Sequence, residues 1–193
     1  VIFPWSMTKT LGDSPSLGYI ATMDIFKTSL VTLAAIGVIT ASAFAQDGAQ
    51  AGEAPPPLDM GPSEPLTILA DTGPQNFMVE IADTLEKQAR GYMWRETIPA
   101  DTGMLFEFDR PKVATIWMKN TPSSLDILFV RSNGKILKIE HNAQPYTLRS
   151  ASSEAPIAAV LELAAGRSMD LGIKPGDLVA HEFFGTENAV NDN

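Results

Sequence analysis

Cysteine is absent from the 193 residues of this chain. That removes disulfides, thiolate metal sites and cysteine nucleophiles, together with the lipid-bearing cysteine of a bacterial lipoprotein. Histidine is scarce: there are two, His141 and His181. Neither falls in an H-x-H, H-E-x-x-H or H-x-x-E-H spacing, so neither a metal site nor a cofactor is expected. No glycine-rich phosphate loop occurs. Gly166-Arg167-Ser168-Met169-Asp170 lacks the last glycine of a nucleophile elbow, and Ser168 reads as part of a short helix. Positive charge is also in short supply. The net charge is −9, and residues 66–185 carry 12 basic and 15 acidic side chains. Four more acids lie in 46–65 and two in 186–193. Nothing forms the basic stripe that nucleic acid requires, and an anionic membrane surface is disfavoured for the same reason.

What is present begins with an address. From Met23 the chain reads MDIFKTSLVTLAAIGVITASAFAQD, with Lys27 ahead of an apolar run over 29–40. Ala43-Phe44-Ala45 is an A-x-A cleavage pattern, with Gln46 next. This predicts a secretory signal peptide over 23–45, cleaved after Ala45, and a periplasmic or extracellular protein. The run is short of the roughly 20 apolar residues of a transmembrane helix, so no span is expected after cleavage. Residues 1–22 lie upstream of a normal leader and read as a non-native extension from an early start codon. Residues 46–65, rich in Ala, Gly, Pro and acid, read as a disordered tether, and 186–193 as a disordered tail.

Between tether and tail, 66–185 read as one β-rich domain. LTILA (66–70) and NFMVEIA (76–82) alternate apolar and polar residues as strands do. Asp83 and Glu86 suggest a D-x-x-E cap for a helix from Thr84 to about Arg90, stopped by Gly91. Further strands are expected over 103–109, 113–119, 125–131, 135–141, 157–163 and 178–184. Asn133-Gly134 marks a tight turn, and 164–172 form one or two helical turns ending at Gly172. About seven strands with two short helices predict a mainly β (α+β) fold: a compact barrel-like or strongly bent, mostly antiparallel sheet.

Several separated stretches follow a known order. They are Ala-Arg-Gly-Tyr-Met-Trp-Arg (89–95), Gly-Met-Leu-Phe-Glu-Phe (103–108), Trp-Met-Lys-Asn-Thr (117–121), Leu-Asp-Ile-Leu-Phe (125–129), Leu-Glu-Leu (161–163) and Gly-Ile-Lys-Pro-Gly-Asp (172–177). Over about 75–183 the chain resembles the domain of unknown function 192 family of bacteria and archaea. It departs at Pro122-Ser123-Ser124, where the family carries an apolar residue and a proline, and at Tyr92, often leucine there. The resemblance implies a β-rich, barrel-like fold and carries no reaction with it.

The chemistry concentrates in IWMKNTPSSLDILFV (116–130). On the strand reading, Trp117 and Lys119 share one face and Ile116, Met118 and Asn120 the other. Asp126 shares a face with Leu128 and Val130, so it is expected at least partly buried in a central strand. A buried carboxylate needs partners. Lys119 and the backbone N–H groups of 120–124 are nearest in sequence, so Asp126 either pins this loop or faces a ligand. Arg95 calls for a buried acid such as Glu80, Asp126 or Glu162, or else an anionic ligand gripped by two parallel bonds. Trp94 and Trp117 offer core packing or a stacking surface for a sugar.

Three functional classes follow. The leading one is an exported cell-envelope protein that binds a polar small molecule, a glycan or cell-wall fragment, or an envelope protein. Its shallow site comprises Arg95, Trp117, Lys119, Asn120 and Asp126. The second is a metal-free hydrolase or lyase with Asp126 and Glu162 as its acid/base pair, which requires both carboxylates in one concave pocket. The third is a purely structural or interaction module. Oligomeric state and ligand identity leave no mark in the sequence.

Overall fold

Alternating apolar side chains build the first hairpin. Strand β1 (Glu64–Ala70) buries Leu66 and Ile68, and β2 (Gly73–Ala82) buries Phe77 and Val79. The two pair antiparallel, with Leu66 opposite Phe77. The computed structural model describes residues 54–190. The expected extension, signal peptide, first part of the tether and last three residues therefore lie outside the described residues.

After β2 the chain enters helix α1 (Leu85–Arg90). The cap is Thr84, one residue later than expected, whose side chain accepts the Lys87 N–H at 3.2 Å. Asp83 instead pairs with Lys87 at 2.8 Å, and the Lys87 hydrogen bond holds its carboxyl below the usual range. Gly91 closes the helix with φ 46°, and its N–H donates to the Lys87 carbonyl. Strand β3 (Thr102–Lys112) then pairs parallel with β2, while the sheet's other strand pairs run antiparallel.

The middle of the sheet is made of strands apolar on both sides. β5 (Leu125–Val130) is buried at every position, and β8 (Ile157–Ala164) at every position but its last. β6 (Ile136–Ala143) lies outside β5, and β9 (Leu178–Ala180) outside β1. The order is β6-β5-β8-β3-β2-β1-β9, a curled half-barrel. Its two edges touch at one point: Ile136 N–H donates to the Asp177 carbonyl at 2.9 Å and Val179 N–H to the Gly134 carbonyl at 2.8 Å. Only glycine fits at 134, because φ is +76° and a Cβ would stand 2.8 Å from the Val179 carbonyl oxygen. The expected seven-strand, barrel-like sheet with two short helices is thus the architecture found, α2 being Arg167–Asp170.

The sheet carries a core on each face. The concave face holds Leu66, Ile68, Leu105, Leu128, Leu161 and Val179, among others. The convex face holds Met104, Phe106, Ile127, Phe129 and Val160, covered by Ile116, Met118 and Tyr92. Packed chain begins ahead of residue 66: Met60 is buried in the convex core and Leu58 leans on it. At the far end, Glu187–Val190 forms a 3₁₀ turn.

One expected strand is not there. Of 113–119, Thr115–Ile116 alone (β4) pairs, with Ala151–Ser152 (β7). Trp117 to Asn120 leave the sheet because their backbone partners lie elsewhere. Met118 N–H donates to the Thr147 carbonyl, and Asn120 O accepts from Trp94. The two-face parity assigned to Trp117 and Lys119 therefore does not apply. The last strand is also shorter than expected, giving way after Ala180 to a 3₁₀ turn over Glu182–Phe184.

Candidate functional site

Asp126 opens the account, because its burial was legible from strand parity. It is 0% exposed on the concave face, cross-strand from Leu163. Its partners are neither Lys119 nor the 120–124 loop. Oδ1 accepts the Asn142 N–H at 3.0 Å, and Oδ2 accepts the Ser168 N–H at 2.9 Å and the Ser168 hydroxyl at 2.6 Å. Of the two roles the sequence left open, the geometry is that of a fastening: Asp126 ties β6 and α2 to β5.

Glu162 occupies the opposite face. It sits cross-strand from Ile127 and Met104, in the convex core. It is 2% exposed, and burial pushes its carboxyl up to about 7. Among the described residues no hydrogen bond or ion pair reaches it. Adjacent register positions on β8 thus send Leu163 toward Asp126 and Glu162 away from it. The acid/base pair expected of a hydrolase or lyase is not assembled, because a pleated sheet alternates its side chains.

Beside Glu162 lies a polar seam in an apolar face. Burial, with the charges of Glu162 and Glu80, holds the Tyr92 phenol far above its usual range. Arg95 stands 5.3 Å from the Tyr92 ring and donates one hydrogen bond to Glu80, Nη1–Oε1 2.9 Å, while Nη2 and Oε2, 2.8 Å apart, form an ion pair without hydrogen-bond alignment. This guanidinium is thus paired with a protein carboxylate.

The loops gathered here are strained. Trp94 (φ 62°) and Asn120 (φ 54°) are both left-handed without being glycine, and Trp94 N–H donates to the Asn120 carbonyl at 2.7 Å. Tyr146 (φ 57°) donates its N–H to Thr121, and the Ser123 hydroxyl donates to the Arg95 carbonyl. Such conformations cost about 1–3 kcal/mol each and persist where neighbours impose them. Together these bonds bring the backbones of Trp94, Arg95 and Asn120 to one end of the domain. The neighbouring Lys119 is exposed, its Nζ 5.5 Å above the Trp117 ring.

A cavity of about 360 Å³ opens beside Trp94, lined by Arg90, Met93, Trp94, Arg95 and the chain's own 54–58 segment. Among the described residues no carboxylate lines it. The Arg90 guanidinium lies 5.2 Å over the Trp94 ring, and among the described residues no acid pairs with it. In a chain of net charge −9 this is a local concentration of positive charge on an aromatic surface.

In the sequence Arg90 stands out only as the end of a helix, Ser168 as part of a short helix, and His141 as a histidine without metal-ligand spacing. Ser168 and His141 meet at 2.9 Å across 27 residues, a contact with no local signal.

None of the curated proteins of known function matches this chain. Solved structures do, among them the following two. One, from Sinorhizobium meliloti 1021, is provisionally described as a transcription regulator. It is 36% identical, with a TM-score of 0.61 over 63% of this chain and 95% of its own. The other, a protein of unknown function from Novosphingobium aromaticivorans DSM 12444, is 39% identical, with a TM-score of 0.60 over 61% of this chain and 84% of its own. Residues 67–181 match the family model of domain of unknown function 192, described as "Uncharacterized ACR". The chain belongs to that family.

Proposed function

We propose that the protein is exported, is cleaved after Ala45, and binds an acidic saccharide or cell-wall fragment in the periplasm or outside the cell. The site is the Arg90–Trp94–Arg95 cavity, with Asn120 bonded to the Trp94 backbone. One observation carries this reading: Arg90 is half-buried over the Trp94 face, and among the described residues no carboxylate pairs with it. A sugar ring stacks on such a face, and a carboxylate on that sugar would complete the guanidinium's hydrogen bonds. Asp126 lies outside this cavity and holds β5, β6 and α2 together. The regulator description of the Sinorhizobium protein is not carried over, since residues 66–185 carry more acid than base.

Calorimetric titration with a muramic-acid-containing disaccharide peptide, against neutral chitobiose, tests the reading. The acidic ligand should bind and the neutral one far less. Arg90→Gln should weaken binding by about tenfold or more, the worth of one charge-assisted hydrogen bond. Equal affinity of wild type and a folded Arg90→Gln variant would remove this cavity from the function.

A further inference from the structure

The segment ahead of β1 has the composition of a disordered tether, yet its last residues are built onto the domain. Met60 is 5% exposed in the convex core, and Leu58 packs against that core. Gly61 then turns the chain at φ 81°, its N–H donating to Asp59 Oδ1 at 2.9 Å. Two apolar anchors and a turn thus hold one end of the run Ala54-Pro55-Pro56-Pro57. On the proposed cleavage after Ala45, that run stays in the mature chain.

The three prolines line the same cavity of about 360 Å³ as Arg90, Met93 and Trp94. The cavity stays open with them in place, so the run is a wall of it and not a plug. Both sides are stiff. Proline locks φ at about −65°, so three in a row form an extended, semi-rigid strap. On the other side the Trp94 backbone is tied to the Asn120 carbonyl at 2.7 Å, and the Arg90 guanidinium lies 5.2 Å over the indole. The two sides also differ in chemistry. Pro55, Pro56 and Pro57 carry no N–H and can only accept hydrogen bonds, whereas Arg90 can only donate them.

We infer that the strap Pro55–Pro57 is a specificity-determining wall of the Arg90–Trp94 site, holding an acidic sugar ring against the Trp94 face. This rests on the saccharide reading above and adds a second side to it. The ligand's carboxylate meets Arg90, and hydroxyl groups that reach the strap find acceptors there. Because the strap is stiff before the ligand arrives, little freedom is lost when the ring enters, and that pre-organisation is its contribution to affinity.

The test loosens the strap without removing it. A mature chain carrying Pro55→Gly, Pro56→Gly and Pro57→Gly together keeps Leu58 and Met60, so its melting temperature should match that of wild type. Without ligand, the indole N–H signal of Trp94 in ¹⁵N-labelled protein should move in this variant while that of Trp117 stays. An unmoved Trp94 signal overturns the inference, because the strap would then not stand beside the ring. In calorimetric titration with the muramic-acid-containing disaccharide peptide, the variant should bind about tenfold more weakly, as the flexibility gained at three positions implies. Equal affinity of wild type and variant sinks the strap's role and leaves the Arg90–Trp94 reading standing. No binding by wild type sinks that reading, and the strap's role with it.

Discussion

Asp126 and Glu162 are two buried carboxylates on neighbouring strands, one register position apart, and the fold treats them in opposite ways. Asp126 receives three donors on the concave face. Glu162, on the convex face, receives none from the described residues, and burial alone pushes it up to about 7. Burying a charge costs free energy unless hydrogen bonds replace water. Asp126 meets that condition and stabilises the junction of β5, β6 and α2. Glu162 does not, so its ionised form destabilises the domain. Burial alone thus says little about what a carboxylate does. The donors around it decide whether it is a fastening or a strained group facing another use.

That contrast can be broken at several points. The largest effect is expected from Asp126→Ala, which strands two backbone N–H groups and a hydroxyl. Urea unfolding should show a loss of about 3–5 kcal/mol. A loss below about 1 kcal/mol would mean that water or a neighbour replaces the carboxylate, and the contrast with Glu162 would collapse.

Glu162→Gln should act in the other direction. The folded-state value of Glu162 lies above its ordinary 4.5, so the folded protein holds this proton more tightly than the unfolded chain. The resulting stability is fully present below pH 4.5 and is lost as the pH rises to and through about 7. Glutamine mimics the protonated form, so the variant should gain up to about 3 kcal/mol above pH 7 and flatten the acid limb of the profile. Glu107 adds a weaker slope of the same sign. Burial, then the charges of Glu64, Asp83 and Glu182, pushes it up to about 7, but it is half exposed and more screened. Thermal melts of both glutamine variants from pH 4 to 8 separate the two contributions. A wild-type profile that rises between pH 5 and 7 would place Glu162 beside a donor after all.

The smallest expected effect concerns Arg95. Its ion pair with Glu80 is about one-third exposed, so Arg95→Gln should cost about 1–2 kcal/mol by chemical denaturation. A larger loss would make the Arg95–Tyr92 contact the main support of this seam.

Much of this was legible in advance. Continuous apolar runs marked β5 and β8 as central, and Asn133-Gly134 marked the turn where the barrel edges meet. Parity placed Asp126 on a buried face, and Glu80 was among the partners named for Arg95. Other features were not legible, for identifiable reasons. VATIWMK has a strand's composition, yet Met118 finds its backbone partner in Thr147 and Asn120 in Trp94. Asp126 binds Ser168 across 42 residues, where no local spacing points. Parity within β5 and within β8 was readable separately, but the register joining them was not. That register alone separates Asp126 from Glu162.

The amino-acid sequence by itself determined the class of fold, most strand positions, the Asn133-Gly134 turn and the burial of Asp126. These follow from side-chain periodicity and backbone sterics, which act over a few residues. The tertiary structure decided which donors each buried group meets and which face of the sheet each buried carboxylate takes. Those outcomes depend on strand register and loop closure, which bring together groups tens of residues apart and carry no signature in local sequence.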